Sequence, residues 1–229
     1  MTSHGIVDDA AACRHLRGVL LDFDGVIADT ANDTLRAWRH AFKELGIQIS
    51  DEDYLTLEGL PTIGIAETIG RKYGVPSEHY QALVRAKESY YRLHGRFSLY
   101  EGVTDILSWL RECHMRTAVV SGGSRSRIVA SAGESFLKAF DAVVCGDDYA
   151  TWKPDPGPYL AALDRIELAP HECVAVENAP LGIKSARQAG LFCIAVCTTL
   201  NRSLLDEADV IIENIRELRT IAPFVGLRR

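Results

Sequence analysis

The residues best suited to do chemistry are Asp22 and Asp24, in the run Leu21-Asp22-Phe23-Asp24-Gly25. A carboxylate is ionised at neutral pH and needs no helper base to act as a nucleophile. Two of them separated by one residue repel each other, which invites a cation between them. Three later segments carry complementary groups. Ser121-Gly122-Gly123-Ser124 offers a hydroxyl and free backbone N–H groups, a small cradle for an anion. Lys153 precedes Pro154-Asp155-Pro156, where two prolines stiffen the chain and hold the ammonium in a fixed direction, suited to neutralising phosphate charge. Glu177-Asn178 presents two oxygen-bearing side chains, which suit a hard cation such as Mg²⁺. Each segment also has a plainer reading. Ser-Gly-Gly-Ser is an ordinary turn, and a lone lysine is usually solvated. Asp155 can cap the next helix, Asn178 can cap the one that Pro180 opens, and Asp147-Asp148 reads as a solvated loop.

These groups need a scaffold that brings them together. Residues 19–23, 117–121, 142–145, 173–177, 192–196 and 210–212 are short runs rich in Val, Ile and Ala, mostly without polar alternation. Strands buried on both faces read this way. Helical stretches lie between the later runs, so the expected class is α/β, a Rossmann-like parallel sheet with helices on both faces. Ligands bind such sheets beyond the carboxyl ends of the strands, where Asp22, Asp24, Ser121 and Glu177-Asn178 would emerge.

One block breaks the alternation. Between residues 33 and 96 no strand is evident. Leu35, Trp38, Phe42 and Leu45 predict one face of a helix ended by Gly46, and a second helix runs over 63–73 to Gly74. Ser77 is expected to cap a third, whose apolar face carries Tyr80, Leu83, Val84, Tyr90 and Tyr91. The expected organisation is a core domain of residues 1–30 and 98–229 with an all-helical cap domain, 31–97, inserted. Tyr80, Tyr90, Tyr91 and Phe97 read as the interior of that cap. Its connections, 28–32 and 95–102, lie at the mouth of the presumed site, the position of a lid.

Composition excludes several classes. The chain has 229 residues, 47% hydrophobic and 24% charged, an ordinary globular balance with enough length for a sizeable core. Its net charge is −6, and no Lys/Arg block stands out, so a nucleic-acid footprint is absent. No apolar run is long enough to cross a bilayer, and residues 1–17 lack the features of a signal peptide. A cytoplasmic location, and a monomer or homodimer, are expected. The six cysteines include no Cys-x-x-Cys pair and read as reduced structural thiols.

Taken in order, Asp22-Phe23-Asp24-Gly25, Ser121, Lys153-Pro154 and Glu177-Asn178 resemble the haloacid dehalogenase superfamily, in the branch of phosphoglycolate phosphatases, sugar-phosphate phosphatases and β-phosphoglucomutase. The resemblance implies a hydrolase of a small phosphate monoester. Asp22 would be the nucleophile that becomes an aspartyl phosphate. Asp24 would be the acid and base. Ser121, Gly122 and Lys153 would hold the phosphoryl group. Mg²⁺ would sit among Asp22, the Asp24 carbonyl, Glu177 and Asn178. Asn178 stands where the family usually has a second carboxylate, so weaker Mg²⁺ affinity is expected. The mutases of this branch carry a histidine and an arginine at positions that fall on Thr34 and Thr62, which favours hydrolysis over the mutase alternative. Arg36, Arg71 and Arg85 are candidates to replace that arginine. Dehalogenation is disfavoured by Asp24 and Lys153, and a decayed, non-catalytic scaffold has only Asn178 to support it.

Overall fold

Six parallel strands form one sheet in the computed structural model, which describes residues 16–221 and residue 224. They are β1 (Gly18–Asp22), β2 (Arg116–Val120), β3 (Ala142–Val144), β4 (Cys173–Glu177), β5 (Phe192–Val196) and β6 (Val210–Ile212), in the order β3-β2-β1-β4-β5-β6. The apolar runs read from the sequence are these strands to within a residue at either end. Nine α-helices accompany them among the described residues: α1 (Ala31–Lys43), α2 (Glu52–Leu55), α3 (Thr62–Lys72), α4 (Tyr80–His94), α5 (Val103–Glu112), α6 (Arg125–Ala132), α7 (Glu134–Leu137), α8 (Gly157–Ile166) and α9 (Pro180–Gln188).

Side chains alternate across a strand, so each strand feeds both faces of the sheet. Val19, Leu21 and Val119 pack with Ile106, Leu110 and Ile128 of α5 and α6 on one face. Leu20, Ala118 and Val120 pack with Tyr159, Leu163, Ile183 and Ala186 of α8 and α9 on the other. All five residues of β1 are buried, as the central position of the strand requires. Register sets the functional edge. Asp22 is level with Val120, and Leu21 with Val176, so Asp22, Ser121 and Glu177 leave the sheet at the same end.

Helices α1 to α4 lie between β1 and β2 in the chain and build a core of their own. Leu35, Trp38, Phe42, Ile65, Ile69 and Leu83 form its buried cluster. The two connections to the sheet pair with each other. The Asp29 amide donates to the Ser98 carbonyl at 2.9 Å, and the Tyr100 amide donates to that of Ile27 at 3.0 Å.

Several local expectations are corrected. Leu45 lies beyond the end of α1 and is 43% exposed, because the chain turns at Gly46 with φ +74°. Ser77 sits inside a single 3-10 turn, Ser77–His79. Helix α4 then starts at Tyr80 with His79 in the capping position and no side-chain capping bond. Phe97 stacks on Phe23 at 6.1 Å and belongs to the sheet core rather than to the helical insertion. The cysteines at 113, 145, 173, 193 and 197 are free thiols, and Cys13 lies outside the described residues. Among the described residues no helix is long and apolar enough to cross a membrane.

Candidate active site

Beyond the carboxyl ends of β1, β2 and β4 the sequence candidates converge. Asp22, the last residue of β1, is 5% exposed. Lys153 comes from the segment before α8 and is 1% exposed. Its Nζ donates to Asp22 Oδ1 at 2.7 Å and to Glu177 Oε1 at 2.6 Å. The Tyr159 ring lies 5.3 Å from that ammonium, and the Tyr159 hydroxyl donates to the same Glu177 oxygen at 2.6 Å. A buried charge is tolerated when it is paired and hydrogen-bonded, and here α8 and β4 supply both conditions. The other Glu177 oxygen accepts from the Asn178 amide at 3.2 Å, so Glu177 faces protein donors on both sides. Tyr159 lies against the Lys153 ammonium, whereas the neighbouring Trp152 is 46% exposed.

Asp24 sits in the turn that follows β1. Gly25 makes this turn with φ +85°, and a Cβ there would lie 2.0 Å from Asn178 Nδ2, so conformation and space both demand glycine. The Asp24 carboxylate is gripped at both oxygens by the Arg127 guanidinium of α6, and it accepts from the Thr30 hydroxyl at 2.5 Å. Burial alone raises this carboxyl. Arg127 and the two sets of hydrogen bonds outweigh burial and hold it below the usual carboxylate range. Asp22 behaves oppositely. Burial pushes it up and the Glu177 carboxylate adds to the rise, with the Lys153 ammonium opposing.

Ser121 is buried, and its Oγ accepts from the Gly123 amide at 3.1 Å. Gly122 and Gly123 line a cavity of about 50 Å³ that they share with Asp22, Asp24 and Arg127. A single water needs roughly 10–15 Å³, so the space suits a phosphoryl-sized group. Its roof is the helical insertion, through Thr34, Trp38, Glu58, Gly59, Thr62 and Lys87. Gly122 permits this approach, since a Cβ there would lie 2.6 Å from the Gly59 carbonyl oxygen.

Asn178 does not cap α9, which begins at Pro180 after Ala179. Its Nδ2 donates to Glu58 Oε2 at 2.6 Å and to Thr199 Oγ1 at 3.0 Å. Asn178 Oδ1 and Glu58 Oε1 are buried without a hydrogen-bond partner. Burial, reinforced by the Asp24 and Asp22 carboxylates, pushes the Glu58 carboxyl up to about 8. Among the described residues no three His, Cys, Asp or Glu side chains form a ready metal cluster. A hard cation here would therefore draw on a mixed oxygen set of carboxylate, amide and carbonyl.

Other candidates fall elsewhere. Asp155 accepts from the Gly157 amide at 2.9 Å at the start of α8, the plainer role foreseen for it. Asp148 accepts from Arg125 at 2.6 Å and from the Cys145 amide at 2.8 Å, and Asp147 accepts from the Arg125 amide at 2.7 Å. The acidic pair is thus a brace between the loop after β3 and α6, not a solvated loop. Arg36, Arg71 and Arg85 do not line the cavity; its cations are Lys87 and Arg127. Sequence reasoning missed both, and Glu58 with them. Arg127 alone had a signal, because it lies in the first turn of α6, the helix that follows the Ser-Gly-Gly-Ser loop.

The chain is similar to known proteins along most of its length. Residues 19–196 match the family model of haloacid dehalogenase-like hydrolases. The chain is 26% identical over 209 residues to the validoxylamine A 7′-phosphate phosphatase of Streptomyces hygroscopicus subsp. limoneus, covering 90% of this chain and 97% of that one. It is 31% identical over 184 residues to the fructose-1-phosphate phosphatase YqaB of Escherichia coli strain K12, covering 78% and 95%. The β-phosphoglucomutase structure from Clostridium difficile shares the fold with a TM-score of 0.75 at 22% identity, covering 89% and 93%. With the matched segment running from β1 to the end of β5, and with two aspartates, a buried lysine and a glycine loop at one sheet edge, the chain belongs to the haloacid dehalogenase-like hydrolase family.

Proposed function

We propose that the protein is a Mg²⁺-dependent phosphatase of a small phosphate monoester, working through an aspartyl phosphate on Asp22, with residues 31–97 as a cap over the cleft. The observation that carries this reading is the buried contact of Lys153 with Asp22, set against a cavity that Asp24, Gly122 and Gly123 also line. Phosphoryl transfer asks for alignment and neutralisation of spread negative charge, and little else from the protein.

The donor set fits a hard divalent cation. Asp22, Asp24 and Glu58 line the cavity, Glu177 shares the Lys153 ammonium with Asp22, and the cations Lys153 and Arg127 pair with three of these four carboxylates. Asn178 Oδ1 is a buried acceptor with nothing donating to it. Asp22, the Asp24 carbonyl and Asn178 would hold Mg²⁺, with Glu177 anchoring Lys153 beside them. The ion supplies charge neutralisation for an anionic nucleophile meeting an anionic ester.

In the first step an Asp22 oxygen bonds to phosphorus, the ester bond breaks, and protonated Asp24 gives its proton to the leaving alkoxide. In the second, Asp24 as carboxylate accepts a proton from water as the water attacks phosphorus. Asp22 is regenerated and inorganic phosphate leaves. Lys153, Ser121 and the Gly122 backbone hold the equatorial oxygens. Arg127 keeps Asp24 ionised in the substrate-free site, the form that the second step uses. A proton-carrying Asp24 must therefore loosen from Arg127 in the first.

The test is a panel of phosphoglycolate, sugar phosphates and nucleotides, assayed with and without Mg²⁺. Phosphate release that requires Mg²⁺ and is lost in Asp22→Asn is the expected result. Full activity in that variant overturns the nucleophile. Conversion of β-glucose 1-phosphate to glucose 6-phosphate would make the protein a mutase.

A further inference from the structure

The amide at position 178 leaves the cation site one negative charge short, and the structure places a carboxylate directly against it. Glu58 lies in the loop between α2 and α3, so it belongs to the insertion and not to the sheet. It is 3% exposed. Its Oε2 accepts from Asn178 Nδ2 at 2.6 Å and from Thr199 Oγ1 at 3.1 Å. Both donors are neutral, and among the described residues Glu58 forms no ion pair. Its Oε1 has no hydrogen-bond partner, and neither has Asn178 Oδ1. A buried acceptor left unpaired is costly. Two such oxygens on a pair of side chains already in contact call for a shared electropositive occupant.

The pairing also explains the asparagine. An aspartate at 178 would bring two carboxylates to 2.6 Å, where they repel. An amide instead turns its N–H to Glu58 and leaves its oxygen free. The usual charge has thus moved from the sheet edge to the insertion.

We propose that Glu58 supplies the negative charge missing at Asn178, so that the Mg²⁺ site is complete only while the insertion is seated on the core. This rests on the Mg²⁺ site proposed above. Cation binding and seating of the insertion then form one linked equilibrium, each favouring the other by the same factor.

The experiment titrates Mg²⁺ alone into the metal-stripped full-length protein by calorimetry, without substrate. Glu58→Gln is expected to weaken Mg²⁺ binding by roughly tenfold or more, the scale of a lost supporting partner at a metal site. The double variant Glu58→Gln/Asn178→Asp returns the charge to the core and keeps one amide facing one carboxylate, so its affinity should recover. Mg²⁺ should slow hydrogen exchange in residues 57–60 of the wild type and not of Glu58→Gln. Equal Mg²⁺ affinity in wild type and Glu58→Gln, or a double variant as weak as the single, overturns the proposal. So does a rise in KM for the ester with Mg²⁺ affinity unchanged, which would assign Glu58 to substrate. In all these outcomes Mg²⁺-dependent phosphate release by the wild type survives. Its loss would instead sink the phosphatase reading.

Discussion

Arg127 carries the sharpest residue-level consequence. Its guanidinium forks onto both oxygens of Asp24, and its side chain is only 12% exposed. A lysine ammonium cannot reproduce a two-point grip. Arg127→Met and Arg127→Lys should both lower thermal stability, Arg127→Met by about 2 kcal/mol, the scale of a lost charge-assisted hydrogen-bonded pair. Both should reduce kcat/KM, since Asp24 loses its fixed direction. Thermal melts and steady-state kinetics check this together, and a lysine variant with wild-type kinetics would assign Arg127 a purely electrostatic part. Lys153 shows the opposite dependence on context. The sequence sets it just before two stiffening prolines, and the structure adds Tyr159 and Glu177 against its ammonium.

Among the elements, the first turn of α2 holds the insertion together through one carboxylate. Asp53 accepts from the Ser50 amide at 2.7 Å and from the Tyr73 hydroxyl at 2.7 Å, and pairs with Lys72. It therefore ties the short α2 to the end of α3. Burial opposes ionisation, but these donors prevail and draw the carboxyl well below its ordinary 3.8. The sign follows from linkage. A carboxyl depressed in the folded state contributes stability that is complete above its unfolded value and is lost as pH falls toward the folded one. Asp53→Asn should therefore lower the melting temperature at pH 7, and the gap to wild type should narrow progressively below about pH 4. A gap that stays constant into acid would show that packing, not charge, sets the effect. The helices of this block were legible because their apolar spacing is strong, as at Leu35, Trp38 and Phe42. Their starts were less so. Pro76 directs a 3-10 turn before α4, which capping rules applied to Ser77 do not anticipate.

Across the whole molecule, two glycines decide how closely the insertion meets the core. Gly59 of the insertion has φ +95°, and Gly122 faces its carbonyl with no room for a Cβ. Gly122→Ala would hold the two bodies apart by a few tenths of an ångström or more, directly over the cavity. A misplacement approaching 1 Å costs roughly a hundredfold in rate, so kcat/KM should fall strongly while the melting temperature changes little. Unchanged kinetics in this variant would mean that catalysis does not need the seated insertion.

The parallel sheet, its helical faces and the edge holding Asp22, Ser121 and Glu177 were determined by the sequence alone. Strand runs and strand-end polar residues are local features, and a parallel sheet has one binding edge. Glu58 and Lys87 were decided only by the tertiary structure, and so was the pairing of Arg127 with Asp24. They reach the cavity from helices and a loop whose own periodicity marks them as ordinary surface charge. Glu58 meets Asn178 and Arg127 meets Asp24 across more than a hundred positions of chain, and Lys87 turns in against Trp38 and Tyr91, contacts that tertiary packing sets and no local pattern encodes.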